Sequence, residues 1–221
     1  MTRVLLQDPV ILQNLVSKVS KETQTKIIKA RLLIDQWRYL IAELFLKRAL
    51  SLELGIPSSS LIFAADMYGK PYLMNKKRFF NLSHSHEMIV LATDDEPIGI
   101  DIEYIAPLND LKDLIGQFTE KEQEAYFAQP EISRLNFFYD LWTYKESYLK
   151  AIGIGFGYSL QSFSIQVADG AAFLLKGIDS DTKWYFQKYE IDQTYKCAIC
   201  SRKQTFPKEF QLIPFEDLIC Q

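Results

Sequence analysis

Apolar residues recur at helical spacing in two long stretches of this 221-residue chain. Ile34, Ile41, Leu44, Phe45, Ala49 and Leu52 mark one apolar helical face, which Gly55 and then Pro57 bring to an end. Phe138, Leu141, Trp142, Lys145, Leu149 and Ile152 mark a second within 131–152, a segment free of Gly and Pro that glycines at 153, 155 and 157 stop. A further helix is expected over Lys18–Lys29, without a clean apolar stripe. Elsewhere the pattern shortens to strand length. Leu61–Ala64 leads into a turn at Tyr68-Gly-Lys-Pro71, and Phe79–His86 follows. Met88–Thr93 and Ile98–Glu103, joined by the acidic turn Asp94–Pro97, read as an antiparallel hairpin. After a connector near Pro107–Asp110 comes a helix near Leu111–Phe127, then the long helix. Strands are expected at Phe163–Val167, Ala172–Leu175, Lys183–Gln187 and Tyr195–Ser201. Helix-then-strands thus occurs twice, which predicts an α/β (α+β) fold of two similar halves, 1–104 and 105–221, each with helices on a small antiparallel sheet.

Composition narrows the function classes. Hydrophobic residues make up 48% of the chain and aromatics 14%, enough for a sizeable core. A formal net charge of −3 argues against a protein that coats nucleic acid. Met1–Asp8 is too short and too weakly apolar for a signal peptide, and no run approaches the roughly 20 apolar residues of a spanning helix. A soluble, cytoplasmic protein without a membrane partner is expected. Cys197 and Cys200 have the spacing of half a zinc site, but residues three apart on a strand point to opposite faces. With Cys220 they are expected to be ordinary buried thiols.

Three stretches carry candidate chemistry. On a strand, Ile98, Ile100 and Ile102 face one way while Asp101 and Glu103 face the other. Two such carboxylates repel unless solvated, protonated or bridged by a cation, and a few hard oxygen ligands suit Mg²⁺; a solvent-facing strand edge would explain the same pair. On the long helix Glu146 and Lys150 share a face with Lys145 beside them, suited to holding a metal together with phosphates, or equally to an ordinary solvated face. Asn81-Leu-Ser-His-Ser85 offers hydroxyls and an imidazole at a strand end, suited to a phosphate or to structural hydrogen bonds. His84 and His86 lack the carboxylate spacing that would make them a metal pair.

Taken in order, Gly69-Lys-Pro71, Phe80-Asn-Leu-Ser-His-Ser85, Ile98-Gly-Ile-Asp-Ile-Glu103 and Trp142-Thr-Tyr-Lys-Glu-Ser-Tyr-Leu-Lys150 resemble the successive motifs of the 4'-phosphopantetheinyl transferases of the surfactin-synthetase-activating (Sfp-like) class. The resemblance is densest from Tyr68 to Leu160. It implies two pseudo-symmetric halves with the active site in the cleft between them. It also implies transfer of phosphopantetheine from coenzyme A to a serine of an apo acyl or peptidyl carrier protein, with Mg²⁺ and release of 3',5'-ADP.

Carried over by position, the resemblance makes Asp101, Glu103 and Glu146 the metal ligands, and places Lys145 and Lys150 beside the phosphates as catalytic cations. Glu122 matches the family position proposed as general base, with Glu120 and Glu124 close by and a metal-bound water as an alternative. Ser83 and His84 match residues that hold a coenzyme A phosphate. Lys70 and Pro71 match the loop beside the adenine, and Lys26 and Arg38 match basic positions near the 3'-phosphate. Here the chain departs from the pattern: Thr23 stands where relatives are often basic, and Tyr39 where they often have Thr. The carrier, an acidic helical bundle, is expected on the second half near Leu108, Leu111 and Phe127, with Lys112 or Lys121 pairing its acids. Relatives of this doubled length are usually monomers. Two other functions can be built from the same residues. A Mg²⁺-dependent nuclease using Asp101, Glu103, Glu146 and Lys150 lacks a basic stripe for a phosphate backbone. A non-catalytic carrier-binding module has nothing to recommend it while all three proposed ligands are present.

Overall fold

The computed structural model describes residues 1–4, 9–74, 77–168, 171–178 and 182–219. The first half runs β1 (Thr2–Arg3), α1 (Pro9–Val16), α2 (Lys21–Lys29), α3 (Leu33–Leu54), β2 (Phe63–Ala65), β3 (Pro71–Leu73), β4 (Phe79–Ser85), β5 (Met88–Asp94) and β6 (Ile98–Tyr104). The second runs α4 (Leu111–Ile115), α5 (Glu120–Phe127), α6 (Glu131–Ile152), β7 (Ser164–Ala168), β8 (Ala171–Lys176), β9 (Tyr185–Tyr189), β10 (Tyr195–Ser201) and α7 (Phe215–Ile219). The two long helices, α3 and α6, have 22 residues each. Each ends on a glycine in the left-handed region, Gly55 at φ 64° and Gly153 at φ 78°, where a side chain would be strained.

There are two three-stranded antiparallel sheets among the described residues: β1-β5-β4, and β6-β10-β9, in which β6 pairs with strands from the end of the chain; the small hairpins β2–β3 and β7–β8 lie beside them. The fold is the mixed one expected from the element order, but one pairing differs. β5 and β6 do not form a hairpin: β5 pairs with β4 through the two-residue turn at His86 and Glu87, and β6 pairs with β10, Asp101 opposite Ala198 and Glu103 opposite Lys196. The reason lies in β4. Asn81 Oδ1, Ser83 Oγ and Ser85 Oγ accept hydrogen bonds from the amides of Ile100, Ile102 and Tyr104, at 2.8, 3.4 and 3.0 Å. Side chains thus take the place of a neighbouring strand along this edge of β6 and join the two sheets.

The helix expected over 111–127 is two helices. The chain turns after Ile115, and Thr119 restarts it by a reciprocal capping box with Glu122. α1 was not legible from the apolar pattern. The chain's end crosses back to the first half, where Phe215 and Leu218 of α7 join Trp37, Leu40 and Ile41 of α3 in one core, Phe215 edge-on to Trp37 at 5.8 Å. Ile98, Ile100 and Ile102 face a core shared with Cys197 and Ile199, while Cys200 faces the core under α6. The two thiols are therefore buried, free and on opposite sides of β10; Cys220 lies outside the described residues. Among the described residues no helix is long and apolar enough to cross a membrane.

Candidate active site

Gly99 sets the site's geometry. It lies on the β6 face that meets α6, where a Cβ would stand 2.0 Å from the Ser147 carbonyl oxygen and 2.4 Å from the Ala151 nitrogen. Without a side chain there, α6 lies directly on β6 and delivers Lys150 to the strand's carboxylates. Lys150 Nζ meets Asp101 Oδ1 at 2.5 Å and Ser83 Oγ at 3.0 Å, and Ser83 Oγ itself donates to the same Asp101 oxygen. Two residues further along the same two strands, Ser85 Oγ donates to Glu103 Oε2 at 2.9 Å. Three elements far apart in sequence, β4, β6 and α6, thus converge on one point.

The electrostatics are those of too much negative charge out of water. Asp101 is 3% exposed, and burial raises its carboxyl against the lowering effect of Lys150. Burial, then the charge of Asp101, pushes Glu103 and Glu146 up to about 7 each. The Oδ2 of Asp101 is buried with no hydrogen-bond partner among the described residues. Three coupled carboxyls and an orphaned acceptor are the donor chemistry of a divalent-cation site with oxygen ligands. As they stand, no three His, Cys, Asp or Glu side chains among the described residues are grouped tightly enough to hold a metal; the Lys150 ammonium is the counter-charge on Asp101.

The other expected residues are dispersed. Glu122 and Lys145 meet each other, Nζ to Oε1 2.7 Å, in the interior of the second half with side-chain exposures of 2% and 1%. Glu120 and Glu124 are exposed on α5. Lys70 sits at the far end of α6, its ammonium donating to the carbonyls of Lys150 and Ala151 across 80 residues of chain. Burial lowers that ammonium to about 8. Lys70 and Pro71 border a cavity of about 630 Å³ that Arg78, Trp184 and Arg202 also line and that the carboxylates do not reach. His84 is an exposed residue of β4, its imidazole held below the usual histidine range by partial burial and then by the charges of Arg38 and Lys150. Arg38 donates to the His86 carbonyl at 2.8 Å and pairs with Asp35, whereas Lys26 pairs with Glu22 on the exposed face of α2. On the second half's surface Phe127 is 57% exposed, Leu108 and Leu111 are partly buried, and Lys112 and Lys121 are exposed.

Gly99 was not among the expected site residues, and Asn81 and Ser85, expected within a polar stretch suited to a phosphate or to structural hydrogen bonds, bond to β6 instead. A glycine inside a strand is the signal of close backbone approach, and the alternation Asn81, Ser83, Ser85 puts three polar groups on one strand face.

Comparison with known proteins gives the family. Residues 9–96 match the model of the 4'-phosphopantetheinyl transferase N-terminal family, and residues 97–200 that of the 4'-phosphopantetheinyl transferase superfamily. The chain is 32% identical over 202 residues to the 4'-phosphopantetheinyl transferase psf-1 of Bacillus pumilus, covering 91% of this chain and 86% of that one. It is 29% identical over 208 residues to Sfp of Bacillus subtilis, covering 94% and 92%, and 35% identical over 185 residues to gsp of Aneurinibacillus migulanus, covering 84% and 77%. With such identity sustained over most of both chains, this protein belongs to the 4'-phosphopantetheinyl transferase superfamily.

Proposed function

We propose that the cleft between β4, β6 and α6 transfers the 4'-phosphopantetheine group of coenzyme A to a serine of an apo acyl or peptidyl carrier protein. The observation that carries this reading is the convergence of Asp101, Glu103 and Glu146 with Lys150 and Ser83. In the reaction the serine oxygen attacks the phosphorus bearing the pantetheine arm. The bond from that phosphorus to the bridging oxygen breaks, and adenosine 3',5'-bisphosphate leaves. Asp101, Glu103 and Glu146 would hold a Mg²⁺, which supplies Lewis-acid stabilisation of charge growing on the phosphate oxygens.

The chain's own residues do the rest. Lys150, the one ammonium among the described residues in direct contact with Asp101, presents positive charge to the pyrophosphate. Ser83 and His84 supply donors beside it, Lys70 and Pro71 the loop for the adenine, and Lys26 and Arg38 charge for the 3'-phosphate. The serine proton needs an acceptor matched to neutral pH. Glu103 and Glu146, held as ligands of the cation, are not free to serve as that acceptor. The partner is an acidic carrier docking on the second half near Phe127, Lys112 and Lys121, and the enzyme acts as a monomer in the cytoplasm.

The test is the mass of a purified apo carrier protein after incubation with this protein, coenzyme A and Mg²⁺, in parallel with Glu146→Gln and with metal omitted. One phosphopantetheine on a single serine, lost in both controls, supports the reaction and the ligand set together. Transfer that survives Glu146→Gln keeps the reaction and removes Glu146 from the ligands. Absence of transfer to every carrier class would turn the reading to a carrier-binding protein without catalysis.

A further inference from the structure

The acid–base pair inside the second half has every hydrogen-bonding direction filled. Glu122 Oε1 accepts from Lys145 Nζ at 2.7 Å and from the Ile165 amide at 2.8 Å. Its Oε2 accepts from Lys145 Nζ at 2.8 Å and from the Thr119 amide at 2.9 Å. A carboxylate has about four acceptor sites, so none remains for a reactant's proton. Lys145 is as fully engaged: it also donates to the Phe163 carbonyl at 2.9 Å, and its ammonium lies 4.1 Å from the Phe163 ring centre and 5.7 Å from that of Phe118. The whole residue is 0% exposed, and Glu122 is 2% exposed. Burial lowers the Lys145 ammonium against the opposing pull of Glu122. Nothing about this pair opens to the cleft.

What the pair does touch is three elements at once: the cap of α5 at Thr119, the start of β7 at Phe163 and Ile165, and α6 itself. Lys145 directly precedes Glu146, roughly 100° around the helix axis, and lies five residues before Lys150. We propose that Glu122 and Lys145 are an internal clamp that fixes the rotation and depth of α6, so that Glu146 and Lys150 meet Asp101. They are positioning residues and neither touches a reactant. The inference rests on the transfer reading above for its activity arm, while its stability arm does not.

The experiment compares Glu122→Gln, Lys145→Met and the double variant carrying both, by thermal melting and by carrier modification across pH. Removing one partner leaves the other buried without its counter-charge, and removing both relieves that. In the double variant glutamine keeps an acceptor for one amide and a donor for the Phe163 carbonyl. The expected result is that each single variant melts lower and loses at least about tenfold in kcat/KM, on the scale of a displaced helix. The double variant should recover most of both losses. The limbs of its pH profile should stay at the wild-type pH, and the KM for coenzyme A should be unchanged.

If Glu122 instead accepts the serine proton, the double variant stays down by the roughly 10²–10⁴-fold a general base contributes, and the acid limb disappears with Glu122→Gln. That result overturns the clamp. So does a double variant that melts no higher than the single ones. A wild-type protein that modifies no carrier defeats the transfer reading, and the melting temperatures still decide the clamp.

Discussion

Replacing Gly99 by alanine tests the claim that the site depends on α6 lying directly on β6. The backbone of Gly99 is not in the left-handed region, so alanine meets no torsional objection and the conflict is purely one of space. The new methyl would stand 2.0 Å from the Ser147 oxygen, 2.4 Å from the Ala151 nitrogen and 2.9 Å from the Lys150 carbonyl carbon, all of them backbone atoms with no rotamer to yield. Restoring an ordinary contact of 3.4 Å with that oxygen takes a retreat of roughly 1.4 Å. A shift of that size carries Lys150 Nζ from 2.5 Å to beyond hydrogen-bonding range of Asp101. Overpacking of this kind costs about 1–3 kcal/mol, and rigid neighbours place Gly99→Ala at the upper end. For a chain of this size each kcal/mol lowers Tm by about 2–4 °C, so a fall of roughly 6–12 °C is expected. Misplacing catalytic groups by an ångström costs about 100-fold, and kcat/KM for carrier modification should fall at least that far. Differential scanning fluorimetry and the carrier mass assay measure the two effects separately. A Gly99→Ala protein with wild-type Tm and activity within about threefold of wild type would refute the reasoning, because no side chain can absorb the clash.

Three further outcomes are expected. Ser85→Ala removes the donor to Glu103 and the acceptor of the Tyr104 amide. It should destabilise by about 1–3 kcal/mol in a thermal melt and move the acid limb of the pH–rate profile upward, since that hydrogen bond holds Glu103 down. Glu103 and Glu146 are raised from 4.5 to about 7, so between those pH values the folded metal-free protein binds more protons than the unfolded one. Its stability should therefore be fully present below about 4.5 and fall as pH rises through 7. Melts across that range should show the slope, Glu103→Gln or Glu146→Gln should flatten it, and added Mg²⁺ should oppose it. Lys70→Met removes the donor to the last carbonyls of α6 and should lower stability by about 1 kcal/mol. Melting with and without coenzyme A then separates this helix-holding contact from any contact with the nucleotide.

Much of this site could be read from residues alone. The glycines that end α3 and α6 are visible as Gly55 and Gly153 after long apolar-periodic runs, and period-two alternation puts Asp101 and Glu103 on one face of β6. What was not legible depends on partners far along the chain. The acidic turn Asp94–Pro97 looks like a hairpin connection, yet β6 pairs with β10, nearly a hundred residues away. Glu122 reads as a chemical group because sequence does not display burial. The spacing Thr119-x-x-Glu122 nevertheless carries the signature of a helix start, and the capping box is what forms there. Lys145, five residues before Lys150 on the same helix, shares its charge and none of its surroundings.

The rungs from Asn81, Ser83 and Ser85 have a consequence for solubility. A strand paired on one side only offers its free amides to any other extended chain, and proteins that leave such an edge open aggregate through it. Along β6 the edge that faces away from β10 is closed by three side chains, which occupy its amides but offer no continuing row of backbone groups to a newcomer. The polar residues of Asn81-Leu-Ser-His-Ser85 thereby act as edge guards, and a chain that lost two of them would expose a template for self-association beside its own active site.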